Sequence, residues 1–494
     1  MLFNSFEFIF IFLPVVVWVY FLLNKRKLTT LSKYWLTLSS LFFYSWWNIY
    51  YLPLLLFSMI INYGLGNALT NDYSINKRKT ILSIGILINV GLLSYYKYAD
   101  FYIENINILF KSDIPFLNLA LPLAISFFTF QQIAYLVDTY RKEIENYSFN
   151  DYCLFVTFFP QLIAGPIVHH KEVMPQFNNL RKKIINYKNL AIGSFLFSIG
   201  LFKKVMLADS FAQWANQGFD VLEKLTFIEA WIVSLSYTFQ LYFDFSGYMD
   251  MASGVALLFN ITLPINFYSP YKALNIQEVW NKWHMTLGRF LYKYIYTPMN
   301  KALLRKVFKP LGLNKQVMLR TNISLMLLYI ISGIWHGAGW TFVVWGLIHG
   351  VATVTHRLWK SANFRMNKLL AWIITFNFIN FSMVFFRASS FEDVYKILKG
   401  MIGLEGIVFP SIIYKLLPFI SSIKLADGEL SLTDVITSVK FLVLGFILIL
   451  CFKNSTQLKD EYKASWFYML FTLFLLLISI LHLTQESEFI YFNF

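Results

Sequence analysis

The stretch Thr321–His356 runs for 36 residues without an Asp, Glu, Lys or Arg. An α-helix needs roughly 20 predominantly apolar residues to cross a bilayer. A run of this length therefore demands two helices joined inside or near the apolar layer, and leaves no room for an ordinary soluble core. Similar apolar runs recur along the whole chain, and only 14% of its residues are charged, against about 25% in globular proteins. The fold class that follows is all-α and polytopic, because only helices and closed barrels satisfy every backbone group in lipid.

The net charge of +15 calls for no nucleic-acid partner. Loops on the cytoplasmic side collect Lys and Arg, next to anionic head groups. Phe8–Leu23 is preceded by no base and reads as a first span rather than a cleavable signal, with Lys25, Arg26 and Lys27 holding its far end on the cytoplasmic side. Further apolar runs follow at Trp35–Trp47, Leu52–Leu65, Ile81–Tyr96 and Leu117–Val137. Tyr152–Val168 contains Pro160, Gly165 and Pro166 between two basic flanks, and reads as a re-entrant segment buried in protein. Leu190–Leu207 and Ile228–Phe259 cross next, joined by a short outer loop between Asp209 and Phe227.

The strongest side marker is Lys282–Arg320, with nine bases and no acid anywhere between Glu278 and Glu392. It reads as a cytoplasmic loop. Crossings at Ile323–Trp335, Thr341–Leu358, Leu369–Phe386, Val435–Phe452 and Trp466–Leu483 complete about 12 passes plus re-entrant segments. Arg387–Leu432 is then a polar outer segment, and both termini face the outer side. The chain divides into N-terminal helices (1–150), a catalytic core (151–360), C-terminal helices (361–484) and an aromatic tail (485–494), all within one membrane domain.

Within the charge-free stretch sits His336, in Ile334-Trp335-His336-Gly337-Ala338-Gly339-Trp340. An ionisable side chain at membrane depth is costly and marks function by default; the alternative is a core histidine bonded to a carbonyl or hydroxyl. A second histidine, His284, lies in Trp280-Asn281-Lys282-Trp283-His284, read as an amphipathic interfacial helix that stacks Trp280 and His284 at i,i+4. A basic rim beside a buried histidine suits a phosphate-bearing donor, with the imidazole as general base on an attacking hydroxyl. Taken alone, the bases are better explained by plain topology and the tryptophans by aromatic anchoring.

The remaining histidines carry less. His349 and His356 share a helical face but have no third ligand, so no metal site is expected. His169, His170 and His482 read as solvated or interfacial. Asp244 and Asp250 lie in or beside an apolar run, where acids are paired inside the bundle. Cys153 and Cys451 form no ligand pattern. No Gly-x-Ser-x-Gly elbow marks a serine hydrolase.

Four segments in order, Tyr242-Phe243-Asp244-Phe245-Ser246-Gly247-Tyr248, Asn266-Phe267-Tyr268-Ser269-Pro270-Tyr271, Trp280-Asn281-Lys282-Trp283-His284 and Ser332-Gly333-Ile334-Trp335-His336-Gly337, resemble the membrane-bound O-acyltransferase superfamily. The likeness is to its bacterial branch of alginate and peptidoglycan O-acetylation membrane subunits. It implies a ring of tilted helices around a thin centre, where a cytosolic funnel meets an outer opening. It makes His336 the intramembrane catalytic histidine and His284 its polar partner. The implied activity passes an acetyl group, with acetyl-CoA as donor, across a bacterial inner membrane to an envelope polysaccharide. A separate extracytoplasmic transferase would finish the transfer. No cofactor is permanently bound, and the residues that hold the donor are unassigned. The tail Phe489-Ile490-Tyr491-Phe492-Asn493-Phe494 resembles an aromatic C-terminal motif of this branch, implying that Tyr491 accepts the acyl group as a phenol ester; as a plain aromatic plug it would carry none. A polymer or lipid-carrier flippase and a lipid O-acyltransferase are the rival readings, the first expecting internal repeats that the sequence lacks.

Overall fold

The computed structural model describes residues 1–144, 147–313, 315–407, 430–483 and 490. Every regular element among them is helical. Among the described residues seven helices are long and apolar enough to cross a bilayer by themselves. The main helices in chain order begin with α1 (Glu7–Lys25), α2 (Thr29–Ser45), α3 (Leu52–Thr70), α4 (Ile75–Phe110), α5 (Ile125–Tyr140) and α6 (Phe149–Thr157). The middle of the chain supplies α7 (Tyr187–Val221), α8 (Phe227–Leu258), α9 (Ile276–Lys282) and α10 (Met285–Leu291). Then come α11 (Val317–His336), α12 (Trp340–Ser361), α13 (Lys368–Arg387), α14 (Phe391–Met401), α15 (Leu432–Cys451) and α16 (Trp466–Leu481). The chain is all-α and polytopic, as the apolar runs require.

The centre is α8, an unbroken helix of 32 residues, buried over most of its length. Its start is fixed by a capping box: Thr226 offers its backbone N–H and its hydroxyl to the Glu229 carboxylate at 2.9 and 2.7 Å, which satisfies groups a helix end would otherwise leave orphaned. Against it lies α7. A Cβ on Gly200 would collide with the Gly247 carbonyl, and one on Gly254 with the Gly193 carbonyl. These glycines, seven apart on each helix, let the two backbones touch. Lipid supplies no hydrophobic drive between helices, so such small-residue contact is what holds them.

Four sequence expectations change. The outer loop between Asp209 and Phe227 is largely helical, because α7 continues to Val221. The span beginning at Ile81 does not end at Tyr96: α4 carries Lys97 and Asp100 inside it and runs on to Phe110. The basic Lys282–Arg320 segment is mostly helix, through Met285–Leu291, Tyr292–Tyr296, Thr297–Leu303 and Leu304–Phe308. The residues 276–291 are not one helix, for a reason given below. The re-entrant reading of Tyr152–Val168 is matched by a short broken helix followed by irregular backbone, with every residue buried.

Several helices widen locally into π-type turns, among them Ser94–Tyr98 in α4 and Lys203–Ala208 in α7. Such turns re-aim side chains and frequent functional positions, and these two matter here. Each contains a lysine, the half-buried Lys97 or the buried Lys204, whose partners define the centre of the molecule.

Candidate active site

His336 is the last residue of α11. Gly333, one turn earlier, packs so closely on α12 that a Cβ there would strike the Phe342 carbonyl. That approach brings the end of α11 against α12 and encloses the imidazole. Its ring lies edge-on to Trp335, Trp345 and Phe386, with centroids 4.9, 5.2 and 5.1 Å away. It is 5% exposed, and its Nδ1 meets no hydrogen-bond partner among the described residues. A buried polar atom left unpaired calls for an explanation, and a substrate proton or hydroxyl would supply one.

The last carbonyls of a helix have no intrahelical donors. Here α4 provides them. The Lys97 ammonium donates to the Trp335 and His336 carbonyls at 2.6 and 3.0 Å, and the Tyr98 hydroxyl donates to the Ile334 carbonyl at 2.8 Å. A cation at a helix C-terminus also complements the macrodipole. Beside this junction a cavity of about 290 Å³ is lined by Tyr96, Lys97, Leu121, Gly337, Ala338 and Phe342. It opens next to the catalytic candidate from the side that the sequence reads as outer.

His284 is held differently. It sits between α9 and α10 with φ +43°, a left-handed conformation that a side chain other than glycine adopts only when its surroundings compel it. Asn266 compels it. Its carbonyl accepts the Met285 N–H at 3.0 Å. Its side-chain oxygen accepts the Thr286 N–H at 3.0 Å and the Thr286 hydroxyl at 2.9 Å, and faces His284 Nδ1 at 3.2 Å. The strap therefore captures donors that a continuous helix would bond internally. Trp280 and His284 are consequently not stacked neighbours on one helix, as periodicity alone suggested. Instead the His284 ring meets Phe245 of α8 at 4.8 Å, while Trp280 packs on Trp345 and His349 at 5.8 and 5.1 Å.

The four sequence motifs thus fold into one packed unit. Trp283 contacts Tyr242, Phe267 and Tyr271, and Trp345 joins the Trp280 side to His336. Below them, the buried Asp244 carboxylate pairs with Lys204 at 2.8 Å, and Lys204 also reaches Asp209 at 2.7 Å. Asp250 pairs with Lys203 at 2.7 Å and accepts from Ser455 at 2.6 Å. The expectation that both acids are paired within the bundle holds. The other Asp244 oxygen accepts the backbone N–H of Ile490 at 3.1 Å. Ile490 is buried; Tyr491, which follows it, lies outside the described residues.

His169 and His170 are not solvated. His170 is buried with Nε2 at 3.3 Å from Asp138, and His169 meets the Tyr294 hydroxyl at 3.1 Å. Asp138 also takes Lys293 at 2.9 Å and the Tyr294 hydroxyl at 2.7 Å. Burial is the largest influence on the His169 imidazole and lowers its pKa below the usual value. Arg289 pairs with Glu172 at 2.6 Å and Lys282 with Glu278 at 2.7 Å. Three bases of the basic segment are therefore engaged by acids drawn from elsewhere in the chain or one turn away. His349 is a buried histidine bonded to Ser382 at 3.1 Å. Among the described residues no cluster of three or more His, Cys, Asp or Glu could hold a metal ion.

Sequence reasoning missed Lys97, Lys204 and the role of Asn266. Lysine inside an otherwise apolar helix, single at Lys97 and next to Lys203 at Lys204, was the available signal for the first two; nothing local to Asn266 announced its strap.

The amino-acid sequence has counterparts among known proteins. Residues 25–391 match the family described as MBOAT, membrane-bound O-acyltransferase. The chain belongs to the membrane-bound O-acyltransferase family. It is 46% identical to a peptidoglycan O-acetyltransferase of Helicobacter pylori, over 100% of this chain and 98% of that protein. It is 34% identical to the probable alginate O-acetylase AlgI of Pseudomonas aeruginosa, over 81% of this chain and 75% of the relative. A teichoic acid D-alanyltransferase of Streptococcus thermophilus is 27% identical over half of this chain. The protein is accordingly a multi-pass membrane acyltransferase, and the transporter reading falls away.

Proposed function

We propose that this acyltransferase moves acetyl groups from cytosolic acetyl-CoA to the outer face of a bacterial inner membrane, for O-acetylation of an envelope polysaccharide. Peptidoglycan is the polymer favoured, through the end-to-end similarity to the Helicobacter enzyme. The observation that carries the reading is the setting of His336: buried, with Nδ1 unpaired among the described residues, beside a cavity at Gly337 and Ala338.

In the step envisaged, a hydroxyl attacks the thioester carbonyl while the His336 imidazole takes its proton. The carbon–sulfur bond breaks, and the imidazole returns the proton to the coenzyme thiolate. His284 orients the donor or offsets the developing charge. The first acceptor is the Tyr491 phenol. A phenol ester has a far better leaving group than an alkyl ester, because phenol ionises near pH 10, so a separate transferase on the outer side could pass the acetyl group to the polymer. Burial of Ile490 against Asp244 supports a tail that reaches into the bundle rather than hanging free.

The test is incubation of purified protein with labelled acetyl-CoA, followed by mass spectrometry of the C-terminal peptide. An acetyl adduct on Tyr491, lost in His336→Ala, is expected. An unmodified tail with undiminished transfer to polymer in Tyr491→Phe would remove the carrier, and full transfer in His336→Ala would remove the base.

A further inference from the structure

Helices α12 and α13 splay apart at the end that carries their connection, and the gap is an apolar groove of about 940 Å³. Its floor is made by Leu347 and Val351 of α12 and by Ile374, Phe378 and Phe381 of α13. Most of these side chains are exposed, so the groove faces outward to lipid rather than inward to the catalytic centre. Its mouth has another chemistry. His356, Lys360, Arg365 and Lys368 all line it, and the three cations form no ion pair among the described residues.

This differs from the neighbouring basic segment, where Lys282, Arg289 and Lys293 are matched to Glu278, Glu172 and Asp138. No Asp or Glu lines the groove, and no acid occurs in sequence between Glu278 and Glu392. Glu278 itself is occupied by Lys282 and by the Leu274 N–H. At the mouth Trp359 and Phe364 meet at 4.9 Å, an aromatic pair at the level where such rings settle among head groups. An apolar trough ending in unneutralised cations on the cytoplasmic side fits an anionic amphiphile, and basic pockets between spanning helices are where anionic head groups lodge.

We infer that the groove between α12 and α13 binds an anionic phospholipid of the inner leaflet, its phosphate held by Lys360, Arg365 and Lys368 and its acyl chains lying along Val351, Ile374 and Phe381. The site is coupled to the catalytic wall through shared side chains. Phe378, on the groove floor, packs on His349 at 5.2 Å, and His349 packs on Trp345 at 4.6 Å. Trp345 in turn borders His336. The lipid thus lies on the outward side of the helix pair whose inner side encloses His336.

The experiment is native mass spectrometry of the full-length protein in detergent, titrated with phosphatidylglycerol or phosphatidylcholine of identical acyl chains. Phosphatidylglycerol is expected to bind more tightly. Its affinity should fall roughly fivefold for each base replaced in Lys360→Gln, Arg365→Gln and Lys368→Gln, and hold in Lys360→Arg and Lys368→Arg. Val351→Trp, which fills the trough without touching charge, should expel both lipids from the site. Equal binding of the two lipids, or unchanged affinity in the triple Gln variant at an unchanged melting temperature, overturns the inference. So does displacement of phosphatidylglycerol by coenzyme A, which would make the groove a donor-phosphate site.

Discussion

The Lys97 ammonium bridges the carbonyls of Trp335 and His336 at 2.6 and 3.0 Å, tying the middle of α4 to the end of the helix that presents the candidate catalytic imidazole. The two segments are more than 230 residues apart in sequence. The contact places a charge where the carbonyl dipoles of a helix end are unsatisfied. It engages the backbone carbonyl of His336 and leaves the ring Nδ1 without a partner among the described residues.

Lys97→Met should therefore lower turnover while leaving the protein folded in membranes. Losing about 1.4 kcal/mol of positioning corresponds to roughly tenfold in rate. Because the lysine acts through His336, the loss should fall on kcat more than on KM for the donor. Detergent-solubilised enzyme assayed over a range of acetyl-CoA concentrations separates the two; a pure KM effect would contradict the assignment.

The sequence made the bundle legible because its signal is additive over twenty residues at a time: a run such as Val317–His336 needs no partner to declare itself a helix. It also exposed His336, since a histidine stands out in a stretch without Asp, Glu, Lys or Arg, as His349 and His356 do beside it. What it concealed were relationships between distant segments. Lys97 looked like the end of an apolar run, when in fact a lysine can sit inside one if another helix offers it carbonyls. His284 looked helical because Trp280 and Leu287 keep helical spacing around it. The left-handed break depends on Asn266, eighteen residues earlier, and no local pattern encodes that contact.

Asn266→Ala tests the strap. The substitution leaves the Thr286 N–H and hydroxyl without their acceptor in a buried place, at a cost of about 1–3 kcal/mol for an unsatisfied group. It also frees His284 from the conformation that aims its ring at Phe245. A lowered melting temperature together with a large loss of acetyl transfer is expected. Activity retained in full would show that the His284 orientation has no bearing on the reaction.

Glu278 gives a pH-dependent arm. Partial burial disfavours its ionised form, but the Leu274 N–H and the Lys282 ammonium outweigh this and hold its carboxyl below the ordinary range. A depressed carboxylate stabilises the fold above its unfolded pKa, and this contribution disappears as pH falls through the folded one. The window lies below about pH 4.3, the usual Glu value. Glu278→Gln should thus narrow the gap in melting temperature between neutral and acid pH, acting on the helix just before His284. An unaltered acid profile would show the pair to be a solvent-screened contact.

Lys204 sets the strongest stability prediction. It is nearly inaccessible and sits between Asp209 and Asp244 at 2.7 and 2.8 Å. Lys204→Met strands two carboxylates in the bundle, and breaking a buried pair by removing one partner costs about 3–5 kcal/mol. Asp244→Asn is milder, since Lys204 keeps Asp209 and the amide oxygen can still accept the Ile490 N–H. Asp244→Leu removes that acceptor altogether. Protease susceptibility of the C-terminus should therefore rise in the order wild type, Asp244→Asn, Asp244→Leu, with acetyl transfer falling in the same order. A tail equally protected in all three would mean that Asp244 does not hold Ile490, and that the end of the chain reaches the bundle by other contacts.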